Sequence, residues 1–102
     1  MSITKKFLKS KPVCKVSFKL GKDQVNGAKT VHIVGDFNNW DKQATPMKAL
    51  KAGGFSATLE LPQGEEFQFR YLIDSTEWRN DDEADKMVPT PFGDAQNSAI
   101  EL

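Results

Sequence analysis

The sequence predicts an all-β fold, a sandwich of antiparallel sheets, on three observations. Apolar and polar residues alternate along 13–20, 55–61 and 67–73, with the period of a half-buried strand. Clusters of glycine, proline and asparagine punctuate these runs. No stretch carries a convincing helical period, and strands with one apolar face need a second sheet to cover it.

The 102 residues make one domain, able to bury about 60–70% of its unfolded surface. Residues 1–12 carry Lys5, Lys6, Lys9 and Lys11 around Phe7 and Leu8. They read as an extended lead-in ended by Pro12 rather than a turn of amphipathic helix, with the domain proper over 13–102. In the first strand Cys14, Val16, Phe18 and Leu20 take the core face, and Lys15, Ser17 and Lys19 the other. Cys14 is thus a small core residue rather than a nucleophile. The β-branched stretch 30–34 is a second strand, broken by Gly35 and Asp36. His32 inside it has no second histidine or cysteine nearby and reads as structural. Asn38 and Asn39 suit a tight turn. A loop from Asp41 to Thr45 follows Trp40, Met47 plugs the core, and Gly53-Gly54 opens the strand 55–61. A turn at 62–64 then predicts an antiparallel hairpin with a strand beginning near Glu65. In that second arm Phe67, Phe69, Tyr71 and Ile73 face the core, which aims Arg70 outward. A second polar turn, 74–80, holds Trp78. The acidic run 80–85 lacks the spaced ligands, central glycine and terminal glutamate of a calcium loop. A Pro- and Gly-rich connection, 87–93, leads to a last strand over 97–102.

Composition bounds the function. Fourteen basic and fourteen acidic residues cancel, leaving no global field to attract nucleic acid or an anionic membrane. A single cysteine excludes an internal disulfide and suits a reducing compartment. No apolar run reaches membrane-spanning length, and the start lacks an apolar signal region, so a cytoplasmic location is expected. The informative residues are the two tryptophans on polar loops. An indole beside hydrogen-bonding side chains suits a ligand with one apolar face and a rim of hydroxyls, which describes a sugar. For Trp40 the competing reading is a side chain folded back to cap the core.

The segments GDFNNWD, LPQGEEFQFRYLID, Trp78 and FGDAQNS, in that order, resemble the starch- and glycogen-binding domains of carbohydrate-binding module family 48. That family includes the glycogen-binding domain of the AMP-activated protein kinase β subunit. It also includes the early-set N-terminal domains of isoamylase, pullulanase and branching enzymes. The resemblance covers roughly residues 13–102. It implies an immunoglobulin-like sandwich that binds α-1,4-linked glucan without cleaving it; no cofactor or metal is expected. It further implies that Trp40 and Trp78 stack on sugar, that Arg70 and Asn97 bond hydroxyls, and that Phe92 lines the site. Arginine stands at 70 where the kinase-type domains carry lysine, exchanging a point charge for a planar fork. Phe92 stands where they have leucine, and the turn through Ser75 is one residue longer.

Two other classes remain open to a sequence reader. A small glycosidase would use paired carboxylates, for which Asp36, Asp74, Asp81 and Asp82 are candidates, although nothing singles out a pair. A protein-interaction module would dock on a glycogen-metabolising enzyme, or dimerise through its tryptophans.

Overall fold

The computed structural model describes residues 2–25, 27–90 and 95–102. The alternating run at 13–20 becomes a strand, β2 (Val13–Leu20), in which Cys14, Val16, Phe18 and Leu20 are all fully buried. Before it lies β1 (Ser2–Phe7), and after it a single helical turn, α1 (Lys22–Val25). Then come β3 (Val31–Gly35), a 3-10 turn (Asp36–Asn38), β4 (Lys48–Ala49), β5 (Phe55–Pro62) and β6 (Glu66–Ile73). The chain continues through β7 (Glu77–Arg79) and β8 (Lys86–Pro89) to β9 (Gln96–Glu101). One sheet has the order β1-β2-β5-β4 and the other β3-β6-β9-β8, with β7 also on β6. Every pairing is antiparallel. Their inner faces meet in an aromatic core, where Phe18 packs edge-on against Phe69 at 5.2 Å and Phe69 against Tyr71 at 5.7 Å.

The hairpin expected across 62–64 does not form. β5 pairs with β2 and β4, whereas β6 pairs with β3, β9 and β7. The apolar face of β5 and the aromatic face of β6 are covered by facing one another across the sandwich, and residues 62–64 are the corner between sheets. That corner is tied down by Gln63 N–H to Pro12 O (3.0 Å) and Gly64 N–H to Leu102 O (2.7 Å). Gly64 turns there at φ 81°, a backbone region that disfavours a side chain.

Residues 2–7 are extended, as the sequence suggests, and do more than lead in. Ser2 through Phe7 pair with Lys19 back to Cys14, so β1 covers the edge of β2. Lys5 fastens it across the sandwich, donating to Asp85 Oδ2 at 2.5 Å and to Glu101 O at 3.0 Å. The helical turn α1 was not foreseen, because four residues are too few to show a period. It buries Val25 and is capped by Gln24 Oε1, which accepts the Gly21 N–H at 2.7 Å.

Asp81 and Ser98 are the buried polar residues among those described. The Tyr71 hydroxyl donates to Asp81 Oδ2 at 2.6 Å, and Asp81 Oδ1 accepts the Glu83 N–H at 2.8 Å. The Asp81 N–H reaches Ser98 Oγ at 3.1 Å, and the Ser98 N–H reaches Asn80 Oδ1 at 2.9 Å. Burial, and then the negative Asp81 beside it, push the Tyr71 phenol well above its ordinary range. The start of the acidic run is thereby stitched onto β9.

Candidate functional site

The site lies on the outer face of the sheet containing β6. Because Phe67, Phe69 and Tyr71 point inward, Gln68 and Arg70 point outward. Register adds the neighbours. Gln68 lies opposite Ala99 and Leu72 opposite Trp78, so Asn97, two residues from Ala99, and Trp78 share this outer face. β9 borders the first half of β6 and β7 the second half, on the same edge. Arg70 sits where one partner gives way to the other.

Trp40 arrives from the loop after β3. The 3-10 turn drops Phe37 toward the core, its ring 6.3 Å from Phe18 and 6.2 Å from Phe67. Asn38 locks the bend: its Oδ1 accepts the Gly35 N–H at 3.0 Å, and its Nδ2 donates to Ile33 O at 2.9 Å and Thr45 Oγ1 at 3.0 Å. Asn39 and Trp40 then take left-handed backbone angles, φ 57° and 56°. Such angles are uncommon for a bulky residue and concentrate at functional loops. The Trp40 N–H closes the loop on Gly35 O at 2.9 Å. Asp36 fixes the indole, its Oδ1 accepting from Trp40 Nε1 at 2.8 Å while its Oδ2 accepts the Gln68 N–H at 2.8 Å. The indole is half-buried and stands outside the core cluster, where Phe37 takes the capping position.

Trp78 is 39% exposed, on a short strand held by Arg79 through bonds to Gln24 O and Glu77. The β6–β7 turn places Asp74 and Ser75 at φ 51° and 61°. Asp74 Oδ1 anchors that turn by accepting the N–H groups of Lys29 (2.7 Å) and Thr30 (3.0 Å). The Lys42 ammonium lies 5.8 Å from the Trp78 ring centroid, joining the two tryptophan loops.

These residues line one groove of about 450 Å³, formed by Asp36, Trp40, Gln68, Arg70, Trp78, Thr90, Ala95 and Asn97. Its volume falls within the ordinary range of small-ligand sites, about 300–1,000 Å³. The structure thus brings together four of the five residues singled out in the sequence. The fifth, Phe92, lies outside the described residues. Asn97 Nδ2 donates to Gln68 Oε1 at 3.0 Å, which orients both amides. Arg70 Nε is buried without a hydrogen-bond partner among the described residues. Gln68, and Asp36 other than as a candidate catalytic carboxylate, were not picked out as ligand-binding residues. Asp36 looks like any turn former, whereas Gln68 had a readable signal, being two residues from Arg70 on the same strand face.

Three of the four carboxylates considered for catalysis are otherwise engaged. Asp36 holds an indole, Asp74 caps backbone N–H groups and Asp81 is in the buried network. Among the described residues no three His, Cys, Asp or Glu side chains gather as a metal site, and no helix is long and apolar enough to cross a membrane.

Residues 23–99 match the family described as the glycogen recognition site of AMP-activated protein kinase. The chain belongs to that family. It is a glycogen-recognition domain, non-catalytic in kind. It is 35% identical over 71 residues to the 5'-AMP-activated protein kinase subunit beta-1 of Sus scrofa. The match takes in 70% of this chain and 53% of that relative, so the chain spans about half the relative's length.

Proposed function

We propose that the groove holds a segment of α-1,4-linked glucan, with Trp40 and Trp78 stacking on glucose rings while Arg70, Asn97 and Gln68 bond the hydroxyl rim. The observation that carries this reading is the convergence of both indoles with an outward arginine in one groove. Glucose presents C–H groups to an aromatic face and hydroxyls around its edge, and the lining offers both kinds of contact. Arg70 is among the residues that line the groove, and a guanidinium carries several N–H donors that sugar hydroxyls can accept. Phe92 belongs to the same proposal by family resemblance.

Each indole contributes about 1–3 kcal/mol, by analogy with bases stacked on aromatic side chains. Some of this is lost in ordering the glucan. A net of about 4–7 kcal/mol corresponds to a dissociation constant between about ten micromolar and about a millimolar. The domain acts without cleaving its ligand. The likeness to a kinase β subunit supports a role as a targeting module that carries a protein assembly to glucan, and the lone buried Cys14 suits the cytoplasm. Titration with glycogen and with maltoheptaose, following tryptophan fluorescence, tests the reading. Saturable quenching or enhancement is expected with both, and no response to either overturns it.

A further inference from the structure

Zero net charge conceals a segregation that emerges only from strand register. The strands of the β1-β2-β5-β4 sheet carry Lys5, Lys6, Lys15, Lys19 and Lys48 against a single carboxylate, Glu60. Lys5 is taken by Asp85. The other four lysines are exposed on the outer face, in cross-strand rows. Lys6 lies directly opposite Lys15, and Ser56 lies opposite both Lys19 and Lys48. None of these four is in an ion pair among the described residues, although Glu60 faces Lys15 across the strands. Like charges directly opposed on a sheet are destabilising, so the bare face holds a cost that an anionic surface would relieve. Between the lysines the face presents hydroxyls, with Ser17 and Thr58 bonded to each other at 3.1 Å.

We infer that this lysine face is a docking surface for an acidic protein segment, one presenting several carboxylates along an extended stretch. The rows carry point-charge ammonium groups and hydroxyls, which pair with separated carboxylates. They carry no arginine fork, and their exposed ring, Phe7, lies opposite the buried Cys14 and so belongs to the other face; forks and rings are the usual means of gripping nucleic acid. The outward apolar side chains of these strands are the paired Val13 and Pro62 at one end, not the broad apolar face that inserts into a membrane interface. The face is the back of the sandwich relative to the groove. Both surfaces can therefore be occupied at once, which makes the domain a bridge between a glucan and an acidic protein. This goes beyond the glucan reading and does not depend on it.

The test uses the full chain and polyglutamate as the probe, with phosphatidylserine vesicles and duplex DNA as the rival arms. Polyglutamate is expected to bind at low salt and to release steeply as ionic strength rises. The Lys6→Gln/Lys15→Gln/Lys19→Gln/Lys48→Gln variant should weaken that binding at least about tenfold, the loss expected when complementary charges are removed from an interface. The control Lys22→Gln/Lys29→Gln/Lys51→Gln, which neutralises lysines off this face, should bind like wild type. Unchanged cooperativity of thermal unfolding in both variants reports an intact fold, whether or not the groove takes glucan. Tighter binding to the vesicles or the DNA than to polyglutamate overturns the assignment, as does equal loss in the two variants or no polyglutamate binding at all.

Discussion

Trp40 is held by more than its neighbours' bulk: a carboxylate grips its indole N–H, and its own backbone sits in a left-handed conformation. Removing the ring therefore deletes a stacking surface without opening the core, since Phe37 fills the adjacent space. Trp40→Ala is expected to weaken glucan binding at least about tenfold, or about 1.4 kcal/mol, with little change in melting temperature. Loss of cooperative unfolding in that variant would restore the core-cap reading. Lys42 acts differently. It does not line the groove, yet its ammonium sits over the Trp78 ring that does. Lys42→Ala should loosen that ring and weaken maltoheptaose binding about two- to fivefold, matching the roughly 0.5–1 kcal/mol of an exposed cation–π contact. Unaltered affinity would mean that Trp78 needs no such support. The placement of both tryptophans and Arg70 was legible in the sequence because indoles stand out on polar loops and strand phase points the arginine outward, whereas Asn97 was singled out by family resemblance alone. Asp36 was not legible, because a carboxylate that orders a loop and one that merely starts a turn look the same until the indole N–H is found on it.

Among the elements, the strands with strict alternation were readable, and their partners were not. β5 and β6 follow each other through a short turn, which favours a hairpin, but each has one apolar face and a sandwich satisfies both by opposition. Short edge elements such as β4 and β8 carry too few residues for a period. Gly35 marks the tightest approach between β3 and β6. A Cβ there would stand 2.5 Å from Gln68 O and 2.7 Å from Phe69 Cβ. Gly35→Ala must push β3 off β6, and overpacking of this kind costs about 1–3 kcal/mol. Because Trp40 closes its loop on Gly35 O, a denaturation midpoint lowered together with glucan affinity is expected, and retention of both would contradict the close approach. The β1 tie responds to acid. Burial alone would raise the Asp85 carboxyl, but the Glu101 N–H and the Lys5 ammonium outweigh it and hold the group below the usual carboxylate range. A depressed folded pKa contributes stability above the unfolded value, near 3.9, that is lost as pH falls through the folded one. Wild type should thus lose more stability than Asp85→Asn between about pH 5 and pH 2, as read from denaturant midpoints. Parallel pH profiles would show that the Lys5–Asp85 contact does not couple the sheets.

At the scale of the whole molecule the two outer faces are electrically unlike, and salt separates them. The net charge of zero is a sum over 14 positive and 14 negative side chains and says nothing about where they lie. Only the pairing of β1 with β2, and of β5 with β2 and β4, gathers the lysines onto one face. In the groove, by contrast, Arg70 is accompanied by Asp36, and the proposed ligand is neutral. Hydrogen bonds from a guanidinium to hydroxyls involve no second ionic charge to be screened. Maltoheptaose affinity is therefore expected to change less than about twofold between about 0.02 M and about 0.3 M salt, although the Debye length shrinks several-fold over that range. A groove built for phosphate would behave otherwise, since release of counterions makes affinity fall by orders of magnitude over a comparable range. Measuring maltoheptaose affinity at both ionic strengths, for wild type and for Arg70→Ala, decides between them. Arg70→Ala should be weaker at each salt concentration by the same factor. A salt dependence present in wild type and absent from the variant would identify Arg70 as an anion contact and remove the neutral-sugar assignment.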